Sequence, residues 1–394
     1  MKNNRTFLEK LLDGAEVEWK PLSLVTEMQR GKTITAKSAN EGNIPVISGG
    51  QKPAYYHNES NRDGKTITVA GSGAYAGYIM YWEEPIFVSD AFSIKTDESL
   101  LQIKYVYHFL LQNQQKIHAM KKGSGVPHVY PKDIGTLMIP IPPLSFQTEI
   151  VRILDALTAL TSELTSELTS ELTLRRKQYE YYREKLLSVD NLKLSTENIQ
   201  WVKLNDLGEL IRGNGLQKKD FTETGVPAIH YGQIYTYYGT FATETKSFVS
   251  PELAKKLKKA KYGDVLIAGT SENVKDVMKP LGWFGSDIAF SGDMFAFRPN
   301  KRANTKYLTY ILQTERFYKF KEKYAQGTKV IRVKADNFLN YEIPLPTFEE
   351  QHRIVSILDK FETLTNSISE GLPLAIKQSQ KRYEYYRELL LNFS

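Results

Sequence analysis

Apolar residues recur at Ile150, Ile153, Leu157, Leu160 and Leu164, and again with the same three-and-four spacing at Ile354, Ile357, Phe361, Leu364 and Ile368. That spacing predicts two helices carrying a heptad seam. Pro142 and Pro143 precede the first stripe, and Pro344 and Pro346 precede the second. Proline lacks the amide hydrogen an interior turn needs, so each pair marks extended chain giving way to helix. From 144 to 187 nothing breaks the first pattern. At ~1.5 Å per residue it could span on the order of 65 Å. The second pattern holds Gly371 and Pro373 within SEGLPLA and should bend or break there. Elsewhere KTITVAG, PIFVSDAFSIK, DVLIAG and DMFAFRP read as strands, while YVYHFLLQNQQKI and KYLTYILQTERFYKF read as helices.

The chain also repeats itself. IPIPPLSFQTEIVRILDAL at 139–157 lies opposite IPLPTFEEQHRIVSILDKF at 343–361, and RRKQYEYYREKLL at 175–187 lies opposite SQKRYEYYRELLL at 379–391, both at an offset of 204. A weaker pair opens each half: Trp19, Leu22, Arg30 and Gly31 stand opposite Trp201, Leu204, Arg212 and Gly213 at an offset of 182. The intervening regions have no evident similarity and differ in length by 22 residues. Inside the first helical stretch, TSELTSELTSEL at 161–172 makes three four-residue units. Thr161 opens it, and Leu164, Leu168 and Leu172 extend the stripe, although each unit overshoots one turn by about 40°. A solvated helix with a leucine face is the plainer account; three copies favour a spacer whose length changes in whole units. The expected organisation is an α/β (α+β) chain with an N-terminal region at 1–142, a spacer helix at 143–187, a polar linker at 188–199, a second globular region at 200–346 and a second spacer helix at 347–394.

Composition narrows the chemistry. With 41% hydrophobic and 25% charged residues over 394 positions, the chain has globular averages. Zero cysteines exclude disulfides, thiolate metal sites and cysteine nucleophiles, and the six histidines show no ligand spacing. No apolar run reaches membrane-spanning length, and MKNNRTFLEKLLDG lacks the apolar core of a signal peptide, so a cytoplasmic protein is expected. GSGAYAG and the two GKT triplets lack nucleotide-loop spacing, and the Pro-Pro pair follows isoleucine rather than the Asn or Asp of an amino-methyltransferase. No catalytic site or cofactor is expected in this chain.

A net charge of +7 favours a polyanionic partner. Candidate DNA-binding side chains are Gln51, Lys52, Tyr55, Tyr56, Asn58, Arg62 and Lys65 in the first variable region and Tyr231, Gln233, Tyr235, Tyr237 and Tyr238 in the second. Amides pair with adenine edges, Arg and Lys with guanine edges or phosphates. Edge strands and turns explain Tyr-rich stretches equally well. Lys255 and Lys256 open a run of five lysines in seven positions, either a phosphate rail or a solvated helix end. Lys121, Lys122, Ser124 and His128 face Gln326, Lys329, Arg332 and Lys334 across the repeat, so one location is basic twice. Tyr181, Tyr182 and Arg183, with Tyr385, Tyr386 and Arg387, suit either helix packing or a docking surface used twice.

Taken together, EIVRILDALTALTSELTSELTSELTLRRKQYEYYREKLL, RIVSILDKFETLTNSISEGLPLAIKQSQKRYEYYRELLL and the opening LEKLLDGAEVEWKPL closely resemble the specificity subunits of type I restriction–modification systems, especially the subgroup with a tandem tetrapeptide. The resemblance implies two target-recognition domains, each reading one half of a bipartite asymmetric DNA site, held apart by two long antiparallel coiled-coil-like helices with a pseudo-twofold repeat. It implies docking of two modification (methyltransferase) subunits and further restriction (translocase–nuclease) subunits. Adenine methylation from S-adenosylmethionine and ATP- and Mg-dependent cleavage would belong to those partners. The rival from a different class is a helical scaffold that assembles two partners without reading DNA; a self-sufficient methyltransferase lacks its cofactor signatures.

Overall fold

A computed structural model describes residues 16–195, 199–366 and 370–393. It divides into two compact units, one of Met1–Ser166 with Lys377–Ser394 and one of Glu167–Ile376. This partition differs from the five-segment organisation expected from sequence. Each unit takes a globular region, the helical segment that follows it, and the YEYYRE-bearing end of the other helical segment. The first boundary falls between Ser166 and Glu167, inside the TSEL units.

In the first unit, a four-stranded antiparallel sheet runs in the order Thr26–Arg30, Ala91–Thr96, Thr66–Ala70, Ile79–Trp82. Every residue of Thr66–Ala70 is buried, which is why that strand reads as a nearly continuous β-branched run. A smaller sheet orders Tyr55–His57, Ile44–Ile47 and Phe87–Val88. The second unit builds both sheets again in the same strand order and extends each to five strands. One runs Gly208–Arg212, Met294–Pro299, Val265–Ala268, Pro280–Trp283, Phe241–Ala242; the other includes Val226–Ile229, Ile288–Phe290 and Lys259–Ala260. The strand runs expected at 65–71, 264–269 and 293–299 are present, and 85–95 divides into Phe87–Val88 and Ala91–Thr96.

Around these sheets the frame is also the same twice. Glu18–Pro21 pairs with Met138–Ile141, placing Trp19 opposite Pro140, and Gln200–Lys203 pairs with Glu342–Leu345, placing Trp201 opposite Pro344. Tyr105 donates its hydroxyl to the Pro140 carbonyl at 2.9 Å, and Tyr307 does so to Pro344 at 2.7 Å. Gln147, fully buried, accepts from the Gln102 amide at 2.8 Å and donates to the Leu100 and Pro142 carbonyls at 3.1 and 2.8 Å. Gln351 repeats this with Asn304, Arg302 and Pro346 at 2.8, 3.1 and 3.0 Å. A buried amide that satisfies three backbone groups fixes where each long helix starts.

The first long helix runs unbroken over Leu144–Leu186. The second is two helices, Phe348–Asn366 and Gly371–Leu391. Gly371 has φ +74°, and a Cβ there would come within 2.6 Å of the Thr363 and Leu364 carbonyl oxygens, so only glycine suits this break. In the first unit Thr158 hydrogen-bonds the Tyr383 hydroxyl at 3.1 Å, while Leu390 and Leu391 join the core with Ile150 and Leu154. In the second, Tyr182 stacks on Phe361 at 5.4 Å. Both contacts set the start of one shared segment against the end of the other.

Three expectations need correction. The deeply buried positions are Ile150, Val151 and Leu154, and Ile354, Val355 and Leu358, because the first turns of each long helix pack broadly on a globular core. The heptad stripe beyond them faces outward at Leu160, 61% exposed, and Ile368 lies outside the described residues. The helices expected at 105–117 and 306–320 each break into two, at Asn113 and before Thr314, where the side chains bond back to the Phe109 and Ile311 carbonyls. The polar linker contains a helix, Val189–Ser195, whose Leu192 is fully buried in the second unit's core. The opening residues 8–15 quoted for the resemblance lie outside the described residues.

Candidate nucleic-acid interface

Each unit carries the same hairpin. Lys122 and His128 exchange both backbone hydrogen bonds at 2.9 and 2.8 Å, and Gln326 and Arg332 exchange theirs at 2.9 Å. Gly123 and Gly327 turn the chain at φ +105° and +110°; a Cβ at either would meet the carbonyl oxygen of Val126 or Val330 at 2.9 or 2.1 Å. Both tips expose a valine, Val126 by 56% and Val330 by 44%. The return arm of each hairpin pairs with residues just past a sheet strand: His128 bridges Ser72 beyond Thr66–Ala70, and Ile331–Arg332 pairs with Thr270–Ser271 beyond Val265–Ala268.

Beneath each hairpin lies a cleft. The first, about 230 Å³, is lined by Arg30, Asp90, His128 and Tyr130 among others; the second, about 680 Å³, is lined by Arg212, Asp293, Arg332 and Lys334 among others. Arg30 and Arg212 arrive by the same route. Each is followed by a glycine, Gly31 or Gly213, whose amide bonds to Ala91 or Met294 at 2.9 or 3.0 Å. A Cβ on either glycine would lie 2.1 Å from the carbonyl oxygen of Ser89 or Ser291, so the close crossing demands glycine. Burial and Lys218 lower the His230 pKa in the second unit, and Asp293 opposes them.

The basic location repeated in sequence is thus one three-dimensional feature. Ser124, Gln326, Lys329, Arg332 and Lys334 are exposed on or beside the hairpins. Lys121 donates to the Ala74 carbonyl at 3.1 Å, and Lys122 pairs with Asp133 at 2.8 Å. The polar-aromatic candidates are more dispersed. Gln51, Lys52, Tyr56, Asn58 and Lys65 are exposed, and Lys65 is 3.5 Å from Glu98. Tyr55 donates to the Ile34 carbonyl at 2.6 Å. The Arg62 guanidinium is consumed by Ser93 and the Asn61 and Arg30 carbonyls at 2.7, 2.6 and 3.0 Å, and burial lowers its pKa against the pull of Glu27. In the second region Tyr231–Thr236 is a helix. There Gln233 bonds His230 and Ser247, Tyr235 bonds the Thr270 carbonyl at 3.3 Å, and Tyr238 is buried, leaving Tyr237 exposed and Tyr231 half-buried. Lys255 and Lys256, with Lys258, Lys259 and Lys261, are all exposed, and none forms an ion pair among the described residues.

A family model described as a type I restriction modification DNA specificity domain matches residues 16–174 and 196–378, covering both halves of the repeat. The chain belongs to this family. It is 40% identical over 412 residues to a putative type I restriction enzyme specificity subunit (S.HindORF215P) of Haemophilus influenzae, covering 100% of both chains. It is 30% identical over 422 residues to the EcoR124I/EcoR124II specificity subunit of Escherichia coli, covering 98% of this chain and 97% of that one. A solved chain from work on complex assembly and conformational transition of the type I R-M system shares the fold, with TM-score 0.64 and 17% identity over 96% of this chain and 98% of that one. The protein is the DNA-specificity subunit of a type I restriction–modification system.

In this specificity subunit the aromatic helix ends sort into two faces. Tyr179 is 5% exposed and Tyr182 packs on Phe361, whereas Tyr181, Tyr385 and Tyr386 are 58%, 61% and 41% exposed. Arg183 and Arg387 lie over the Tyr179 and Tyr383 rings at 5.5 and 5.2 Å. The packing account of the YEYYRE segments therefore holds for one face, and the other face is exposed. Thr161, Leu164, Leu168 and Leu172 all fall within the first long helix, and exposure declines from Leu164 at 37% to Leu172 at 9%. Sequence reasoning missed Asp90 and Asp293 altogether and singled out Arg30 and Arg212 only as part of the opening repeat. The signal was available in the matching SDAF and GDMF stretches ahead of corresponding strands. No helix among the described residues is long and apolar enough to cross a membrane.

Proposed function

We propose that each hairpin and its cleft form the DNA-reading surface of one unit, so that the chain recognises a bipartite, asymmetric site. The duplication carries this reading: the two globular regions have no evident sequence similarity, yet each builds one hairpin with a cationic rim over one cleft. Positive groups neutralise phosphates and set register, while the cleft presents side chains toward base edges. The exposed Tyr181, Tyr385 and Tyr386 suit docking of two modification subunits, since tyrosine and arginine are frequent interface anchors. S-adenosylmethionine on those subunits, and ATP and Mg on restriction subunits, would supply the methyl-transfer and cleavage chemistry.

The test uses the chain assembled with its modification partner. It should retain a specific duplex against excess competitor DNA, whereas a preference for RNA or protein would favour the scaffold alternative. Exchanging residues 20–138 for those of a relative should alter one half of the methylated site alone. Changes in both halves would refute independent reading.

A further inference from the structure

Resting on the reading that the clefts face DNA, we infer that Asp90 and Asp293 are specificity-determining residues, each accepting a hydrogen bond from an exocyclic base amine, cytosine N4 or adenine N6, in its own half-site.

Both carboxylates hold the same place in corresponding sheets, just ahead of Ala91–Thr96 and Met294–Pro299. The Gly71 amide bonds the Asp90 carbonyl at 3.1 Å, and the Gly269 amide bonds the Asp293 carbonyl at 2.8 Å. The following residues, Ala91 and Met294, accept from Gly31 and Gly213. These backbone bonds pin the main chain on either side, so the side chain is set at the cleft wall with little freedom to leave it. Their own hydrogen-bonding capacity is largely unspent. Asp90 is exposed and accepts from the Ser72 hydroxyl, while Asp293 makes no side-chain hydrogen bond among the described residues and meets Arg332 only at 3.9 Å. An ionised carboxylate has about four acceptor sites and no donor.

The surroundings make this placement costly for a polyanion binder. Arg30 and His128 line the first cleft; Arg212, Arg332 and Lys334 line the second. A carboxylate among them weakens phosphate attraction, so a need for cationic charge alone does not account for two of them at matching positions. Ion pairing does not account for both either, since only Asp293 has an arginine partner. What a carboxylate can do at a duplex is selective. In the major groove guanine offers acceptors and thymine an acceptor and a methyl group, leaving the amines of cytosine and adenine as the donors it can meet. Asp336 also lines the second cleft, but only Asp90 and Asp293 hold matching positions, and there each excludes guanine and thymine at one position of its half-site.

The experiment maps methylated sites, and measures competition by duplexes differing at one base pair, for the full chain with its modification subunits carrying Asp90→Asn or Asp293→Asn. Asparagine keeps the size but adds a donor, so each variant should lose discrimination by about 10- to 100-fold at one base pair of one half-site. The other half-site and the melting temperature should stay as in the parent. Unchanged discrimination overturns the assignment. So does loss spread over a whole half-site, or a lowered melting temperature with no positional change, since either marks a structural carboxylate. Exchanging the hairpin tip residues 124–126 separates the two levels. If that exchange leaves the site unaltered, the cleft reading itself fails; if it alters the site while Asp90→Asn does not, only the carboxylate assignment fails.

Discussion

Asp155 holds Nε2 of the buried His108 imidazole at 2.8 Å, from the long helix to the helix Ile103–Gln112. Lys104 joins the same carboxylate at 2.9 Å. In the second unit Lys306 and the Tyr310 hydroxyl meet Asp359 at 2.5 and 2.7 Å. One acidic residue on each long helix thus ties it to the globular layer, with a titratable imidazole in one unit and a phenol in the other.

His108 Nδ1 is buried without a hydrogen-bond partner, so protonating it creates an unsatisfied donor. Burial accordingly lowers its pKa, against the pull of Asp155. The Asp155 pKa is also lowered, by Lys104 and His108 outweighing desolvation. A depressed folded pKa means stability that is present above the unfolded value and lost as pH falls, for both groups. The histidine contribution should therefore fade from about pH 6.5 downward and the aspartate contribution from about pH 4. Denaturant melts of His108→Gln should be flatter between pH 7 and 5 than those of the parent, because a neutral amide keeps the bond without titrating. An equal slope would remove His108 as the cause.

Gln147→Ala and Gln351→Ala should each destabilise their own unit by about 2–4 kcal/mol, since each leaves one buried amide hydrogen and two carbonyls without partners. Hydrogen exchange of the backbone at Gln102 and Asn304 would report which unit opened. A uniform loss across both units would contradict the separate clamps.

On the hairpins, Lys329→Ala should lower the salt slope of DNA binding by about one and weaken all sequences alike. Lys122→Ala should do less, because Lys122 already neutralises Asp133. Equal slopes for all three proteins would place the hairpins away from phosphate.

The duplicated frame was legible because its cues are local: prolines before each helix, the glycine break at Gly371, and segments repeated at one offset. The clefts were not. Arg30 and Asp90, like Arg212 and Asp293, come together only when distant strands pair, and neither residue type is unusual where it stands. Arg62 shows the reverse failure. A loop arginine among polar neighbours resembles a phosphate ligand in sequence, yet three bonds tie it into its own unit. The buried face of the long helices was misread for a related reason, since a heptad count assumes one partner helix and here a globular core takes the first turns.

The exposed and packed tyrosines predict different losses. Tyr181→Ala with Tyr385→Ala should impair association with modification subunits at unchanged melting temperature. Tyr182→Ala should lower the melting temperature, as it removes the ring stacked on Phe361. Co-purification and thermal melts of the two variants distinguish these outcomes, and normal assembly by the first would leave those rings merely solvated.

The boundary between Ser166 and Glu167 falls inside the TSEL units, and the expectation that they control length can be tested directly. Removing residues 169–172 shortens a continuous helix by about 6 Å and rotates the rest of that helix by about 40°. One base pair advances about 3.4 Å and twists about 34–36°, so the rotation matches one step while the length slightly exceeds it. Rotation should dominate. A reading surface turned around the duplex faces away from its groove, whereas a few ångströms of translation can be absorbed elsewhere in the assembly. A two-unit variant should keep both half-site sequences and prefer a spacer one base pair shorter, and a four-unit variant one longer. Methylation-site mapping in cells that express each variant with its partner decides the matter. A spacer unchanged across two, three and four units would show that TSEL does not set the distance, and altered half-site letters would show that spacing and reading are coupled.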